Sequence, residues 1–440
     1  MSRTMKDSGI EWIGDVPEGW EVKELKYSLD GLCDGTHGTF ERVENGELLL
    51  SAKNIGDRGI VLGDNESQIS HEDYTRIISN GFPSKGDVLL CCVGSIGKCC
   101  IFNEEKPIAF QRSVAFLRHN KTMTSEYLMY LLKSNIMQAQ YEMCARKSAQ
   151  SGIYMGVINN FVIVAPHSIT EQQAIADYLD KKCSEIDSLI DLQEQMIEEL
   201  KAYKQSVITE AVTKGIRNEE LGVRNYKDSG IEWIGDVPEE WEVCKLKYFT
   251  LKIGSGSTPT GGSEVYVNDG VKFLRSQNVY FEGLLLDDVV YISDEIDENM
   301  KGTRVLEGDV LLNITGGSIG RCFYVDSTLG RANVNQHVSI IRPYNSNTKY
   351  IKYYLQSYLG QYQVKQLQTG GNREGLSAAA IKDFRFINCP LAEQQAIADY
   401  LDRKCGEIDE LITIKQQKIE SLKEYKKSVI YEYVTGKKEP

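Results

Sequence analysis

The chain has 440 residues, of which 41% are apolar and 26% charged, the make-up of a globular protein of about three domains. No apolar run reaches the ~18 residues a membrane helix needs, the opening MSRTMKDSGIEW lacks the apolar core of a signal peptide, and eleven irregularly spaced cysteines fit a reducing cytoplasm better than a disulfide framework. A net charge of -13 argues at first sight against nucleic acid, because a DNA reader carries a basic footprint.

Residues 6–27 read KDSGIEWIGDVPEGWEVKELKY, and 227–248 repeat them with 19 of 22 positions identical. After the first copy comes a polar loop, Asp34-Gly-Thr36-His37. The run DVLLCCV at 87–93 predicts a buried strand, followed by the turn Ser95-Ile96-Gly97-Lys98. Residues 125–143 predict a helix. Residues 171–214 begin EQQAIADYLDKKCSEID, contain no proline or glycine, and carry a heptad seam that includes Leu179, Ile186, Ile190, Gln193, Ile197 and Leu200. Such a seam marks a helix needing a partner helix, and 44 residues make a rod of roughly 66 Å. Gly215, Asn218, Gly222 and Asn225 then supply a linker at 215–226.

The second half repeats this order. A Gly-Ser loop at 254–259 includes Ser257 and Thr258; a strand is predicted in DVLLNI at 309–314, a turn at Ser318-Ile319-Gly320-Arg321, and a helix at 349–367. A second rod at 393–436 begins EQQAIADYLDRKCGEID and has Leu401, Ile408, Ile412, Lys415, Ile419 and Leu422 on its seam. The chain is thus a tandem duplication, with mixed α and β domains at 1–170 and 227–392, each followed by a long helix. Each rod pairs most simply with its duplicate, and heptads alone leave parallel and antiparallel pairing open. In an antiparallel pair, Gln193 and Lys415 would face each other near both midpoints.

The duplication also resolves the charge. The two N-terminal repeats together carry -6 and the two rods -7, which leaves zero for the rest. Within the domains, 98–147 sums to +4 and 321–385 to +6. An acidic frame therefore carries locally basic stretches, as contact with phosphates requires.

Arg or Lys pairs with guanine and Asn or Gln with adenine in the major groove. Candidate readers in the first domain are Thr36, His37, Lys53, Asn54, Lys98, Gln111, Arg112, Arg146 and Lys147. In the second they are Ser257, Thr258, Arg275, Gln277, Asn278, Arg321, Asn335, Gln336, His337, Asn372 and Arg373, with Gln111 expected to answer Gln336. Catalytic and metal sites are expected to be absent. Cys91-Cys92 and Cys99-Cys100 lie on strands whose adjacent residues face opposite ways. Gly94 to Lys98 lacks Walker A spacing, and the five histidines lack metal spacing.

Two domains, each followed by a near-identical helix starting EQQAIADYLD, together with IEWIGDVPEGWEV, the DGTHG at Asp34 and the GDVLL and SIG landmarks, resemble specificity subunits of Type I restriction-modification systems over essentially the whole chain. The resemblance implies an α+β fold: two mixed α/β target-recognition domains separated by a long antiparallel two-helix coiled coil, with internal pseudo-two-fold symmetry. It implies recognition of a bipartite asymmetric double-stranded DNA site. It further implies two methylation subunits that modify adenine with S-adenosylmethionine, and two restriction subunits that use ATP and Mg. The chain itself lacks the NPP[FY], Walker A and PD-(D/E)xK patterns of those partners, so a non-catalytic subunit is expected. The alternative is a scaffold that joins proteins through its helix pair and reads no DNA.

Overall fold

A strand that is apolar at every position must be covered on both faces, and both predicted strands are. In the computed structural model, which describes residues 3–145, 152–216, 224–368 and 375–440, the run at 87–93 forms a strand whose Val88 and Leu90 enter one core while Leu89 and Cys91 enter another. Val310 and Leu312 likewise part from Leu311. The chain divides into two units, Met1–Gln193 with Gln416–Pro440, and Glu194–Lys415.

The first unit is built on a four-stranded antiparallel sheet of β1 (Leu29–Asp34), β2 (Val88–Cys91), β3 (Cys99–Ile101) and β4 (Val114–His119), in the order β1-β4-β2-β3. The second has β5 (Thr250–Ser255), β6 (Val310–Asn313), β7 (Cys322–Tyr324) and β8 (Val338–Pro343), in the matching order β5-β8-β6-β7. Each unit adds a small sheet with a parallel pairing, Leu50 with Phe110 and Phe273 with Asn333. The helices predicted at 125–143 and 349–367 each form as two, Ser125–Lys133 with Asn135–Ala145 and Thr348–Gln356 with Tyr358–Gln366. Ser134 and Ser357 take extended backbone between them, and the Ser357 hydroxyl caps the next helix by accepting from the Gly360 N–H.

The long helices α1 (Ile169–Lys214) and α2 (Leu391–Val434) are unbroken. Their pairing is antiparallel in each unit. In the first, Asp187 binds Lys426 at 2.7 Å while Tyr178 stacks on Tyr433. In the second, Lys204 binds both carboxylate oxygens of Asp409 at 2.7 Å, and Lys415 Nζ lies 3.4 Å from Met196 Sδ. Of the seam residues, Leu179, Ile186, Ile197, Leu401, Ile408, Ile419 and Leu422 are buried, whereas Ile190, Gln193, Leu200, Ile412 and Lys415 are half-buried.

The repeated segments fasten to each other within each unit, which gives a physical reason for their near-identity. Trp20 Nε1 donates to Glu171 and Trp241 Nε1 to Glu393, while Arg3 and Arg224 bind the same carboxylates at 2.7 and 2.6 Å. Buried Gln172 accepts from the Thr124 N–H and donates to the Pro166 carbonyl; Gln394 does the same with Asn347 and Cys389. Each unit is closed by the end of a long helix. The Tyr127 hydroxyl lies 2.9 Å from the Val434 carbonyl, and that of Tyr350 3.4 Å from the Val212 carbonyl.

Candidate nucleic-acid interface

An antiparallel sheet gathers alternate loops at one end. In the first unit, β1 and β2 end where β3 and β4 begin: Asp34 pairs with Ala115, Cys91 with Val114, and Leu90 with Cys99. That end carries Thr36 and His37, Lys98, and Gln111 with Arg112. In the second unit, Ser255 pairs with Ser339, Asn313 with Val338 and Leu312 with Cys322. The corresponding end carries Ser257 and Thr258, Arg321, and Asn335 to His337.

Close backbone approach fixes these loops. A Cβ on Gly35 would lie 2.2 Å from the Phe110 carbonyl oxygen, and one on Gly256 2.0 Å from that of Val334, so only glycine fits. Past each glycine, the Thr36 N–H donates to the Phe110 carbonyl and the Ser257 N–H to that of Val334. The Gln111 N–H donates to the Leu50 carbonyl, and the Asn335 N–H to that of Leu274. The Val114 N–H reaches the Gln111 carbonyl, and the Val338 N–H that of Asn335. Gln111 therefore answers Asn335, which corrects the expected match with Gln336. The loops between the landmarks differ in length, and the sequence alone slipped by one position.

The exposed candidates of the first unit are His37, Lys53, Lys98 and Arg112, with Thr36 and Gln111 half-buried. His37 Nε2 lies 2.8 Å from Asp34, and Lys53 binds Glu66 at 2.8 Å. The Lys53 ammonium and the Gly63 N–H hold the Glu66 carboxyl down to about 2. In the second unit, Thr258, Gln277 and Gln336 are exposed, while Ser257, Arg275, Arg321 and His337 are half-buried. Arg321 lies over the Tyr280 ring at 4.6 Å, Arg275 donates to the Asp288 carbonyl at 2.8 Å, and Gln277 donates to the Asp288 carboxylate. Arg146, Lys147, Asn372 and Arg373 lie outside the described residues.

Three candidates belong to the frame instead. Asn54 and Asn278 are buried, and their side-chain oxygens accept the N–H groups of Ser51 and Arg275. Their amide nitrogens donate to the Val61 and Leu285 carbonyls. Asn335 is also buried and accepts the His337 N–H. An inward amide with backbone partners shapes a turn and offers no edge to a base. Sequence reasoning missed Thr315, whose Oγ1 lies 2.6 Å from His337 Nδ1. No motif marks it; its only signal is its place two residues past the strand.

The clustered cysteines are structural. Cys92 and Cys99 enter one core, and Cys91 and Cys100 the other. Burial pushes the thiols of Cys91, Cys92 and Cys99 up to about 12, far from a metal-binding thiolate. Among the described residues no group of His, Cys, Asp and Glu is placed to hold a metal ion, and no helix is long and apolar enough to cross a membrane.

The family model for the Type I restriction modification DNA specificity domain matches residues 53–202 and 238–436. The chain belongs to this family. The two matched stretches fall on the two copies of the duplication, so each copy is a specificity domain. Among relatives of this specificity chain is the "Putative type I restriction enzyme MjaX specificity subunit" of Methanocaldococcus jannaschii, 28% identical over 97% of the chain and 95% of the relative. The Type I restriction enzyme MjaVIII specificity subunit of the same organism is 27% identical over 96% and 93%. In fold, the specificity chain is similar to one from the solved structure "Structural basis underlying complex assembly and conformational transition of the type I R-M system". The TM-score is 0.70 at 14% identity, covering 95% of this chain and 98% of the other. The α+β fold with two long helices is that of the family.

Proposed function

We propose that this chain reads a bipartite, asymmetric site on double-stranded DNA, with residues 1–170 reading one part and 227–392 the other. The observation that carries this reading is the pair of sheet ends just described, one frame presenting two different sets of polar side chains. Helices 171–214 and 393–436 set the spacing. The two half-sites then lie about one duplex turn apart, ~34 Å.

The chain supplies no catalysis. It directs adenine methylation by two methylation subunits carrying S-adenosylmethionine, and restriction by two subunits using ATP and Mg, all in the cytoplasm. Exposed apolar side chains on the long helices, Leu189 and Leu192 on α1 and Leu411 and Ile414 on α2, support protein docking there.

The test is to map methylated adenines in a host that expresses the chain with its methylation subunit. One bipartite motif is expected, and it should vanish when the chain is omitted. Lengthening both helices by a few residues should change the spacer and leave the specified bases alone. Methylation without a bipartite motif, or specified bases that move while the spacer stays, sinks the reading.

A further inference from the structure

The backbone bonds that align Gln111 with Asn335 also align the next residue of each unit, Arg112 with Gln336. Both side chains are exposed on the turn that leads into the central strand, β4 in one unit and β8 in the other. Both turns are fixed by backbone: the Arg112 N–H donates to the Thr36 carbonyl, and Gln336 follows Asn335, whose N–H is held by Leu274. One position of the frame thus carries an arginine in one unit and a glutamine in the other.

The surroundings prepare each group differently. The Thr258 hydroxyl donates to Gln336 Oε1, and Gln336 Nε2 lies 3.0 Å from His337 Nε2. With that ring nitrogen accepting, His337 Nδ1 carries the hydrogen and donates to Thr315 Oγ1 at 2.6 Å. The network holds the amide in place from both of its ends. An amide oxygen has two lone pairs and its nitrogen two hydrogens, so one acceptor and one donor remain side by side. That pair complements adenine N6–H and N7 in the major groove. Among the described residues, the Arg112 guanidinium has no hydrogen-bond or ion-pair partner. Its parallel N–H groups complement guanine O6 and N7.

We infer that Arg112 and Gln336 are matching specificity-determining residues, Arg112 reading a guanine in one half-site and Gln336 an adenine in the other. This rests on the DNA-reading role proposed above and adds the base chemistry at one position of each half-site. Thr258, His337 and Thr315 are positioning residues that act through the Gln336 amide.

The test uses the complex of the full chain with its methylation subunit and short duplexes in which each base pair of the parent motif is exchanged in turn. Gln336→Ala should cut the penalty for exchanging one A·T pair by about ten- to a hundredfold and leave the other half-site unchanged. Arg112→Ala should do the same at one G·C pair of the opposite half-site. Gln336→Arg should move the preference at its position to G·C. Thr315→Val should weaken discrimination at the Gln336 position alone. If the parent shows a bipartite motif and the variants single out no position, including uniform loss across the panel, the inference is overturned. A parent complex with no bipartite motif overturns instead the reading on which it rests.

Discussion

The two units share their interiors almost bond for bond and differ where their sheets end. Asp87 holds Arg118 with two bonds, and Asp309 holds Arg342 in the same way. Asn54 and Asn278 tie matching turns, and Tyr127 and Tyr350 reach the C-terminal ends of α2 and α1 respectively. At the rims, His37 stands where the other unit has Thr258, Arg112 where it has Gln336, and Lys98 where it has Arg321. The contrast teaches how a duplicated frame changes what it reads: buried polar pairs fix the loops, so the loop tips can vary without cost to the fold.

The largest expected effect tests the shared interior. Asp309→Ala leaves Arg342 unpaired and should cost about 3 to 5 kcal/mol. Asp87→Ala should cost less, because the Arg118 side chain is 50% exposed against 25% for Arg342 and recovers solvation. Urea unfolding followed by hydrogen exchange in each unit measures both; equal costs would break this ordering.

Next come Asn54→Ala and Asn278→Ala. Each strands backbone groups of a tight turn and should cost about 2 kcal/mol. Similar losses in the two units would sharpen the comparison, and a null effect in either would mean that the turn holds without its amide.

A third test uses an interior position where the units part. Lys352 is buried against Asp402, whereas Met129 holds the matching place in the first unit: the Cys99 thiol bonds the Met129 carbonyl and Cys322 that of Lys352. Burial lowers the Lys352 ammonium from 10.5 to about 8, with Asp402 opposing. Between those values the unfolded chain holds a proton that the folded unit has released. The contribution of Lys352 to the second unit's stability should therefore rise with pH from about 8 to 10.5, read as the difference between the parent and Lys352→Met so that the raised thiols common to both chains cancel. Lys352→Met should remove that rise and stabilise the second unit by about 2 kcal/mol near pH 7. Hydrogen exchange at pH 7 and 10 reads both effects.

The smallest effect concerns the rims. Lys98→Ala and Arg321→Ala should each shift stability by less than about 0.5 kcal/mol. Each should also lower the salt dependence of DNA binding by about one phosphate contact. A marked drop in melting temperature would assign either residue to the frame.

The sequence made the duplication, the long helices and the central strands legible, because each follows from a repeated text or a strong period. The breaks at Ser134 and Ser357 were not legible, since an apolar run carries no sign of a one-residue interruption. Asn54 and Asn278 were misplaced for a physical reason: an amide suits a base edge and a buried turn equally, and only burial separates the two. The matching of Arg112 with Gln336 needed backbone bonds across strands, which no local pattern encodes.

The hydroxyl of Tyr127 reaching the Val434 carbonyl has a consequence for biosynthesis. The first unit needs residues from 416 onward, more than 200 positions after its own helix half ends, whereas every part of the second unit lies between 194 and 415. On the ribosome, the half made first must therefore wait open until the residues from 416 onward emerge, while the half made later closes as soon as residue 415 is out. A premature stop codon after residue 415 would consequently injure the amino-terminal half of the protein and spare the half beside the stop.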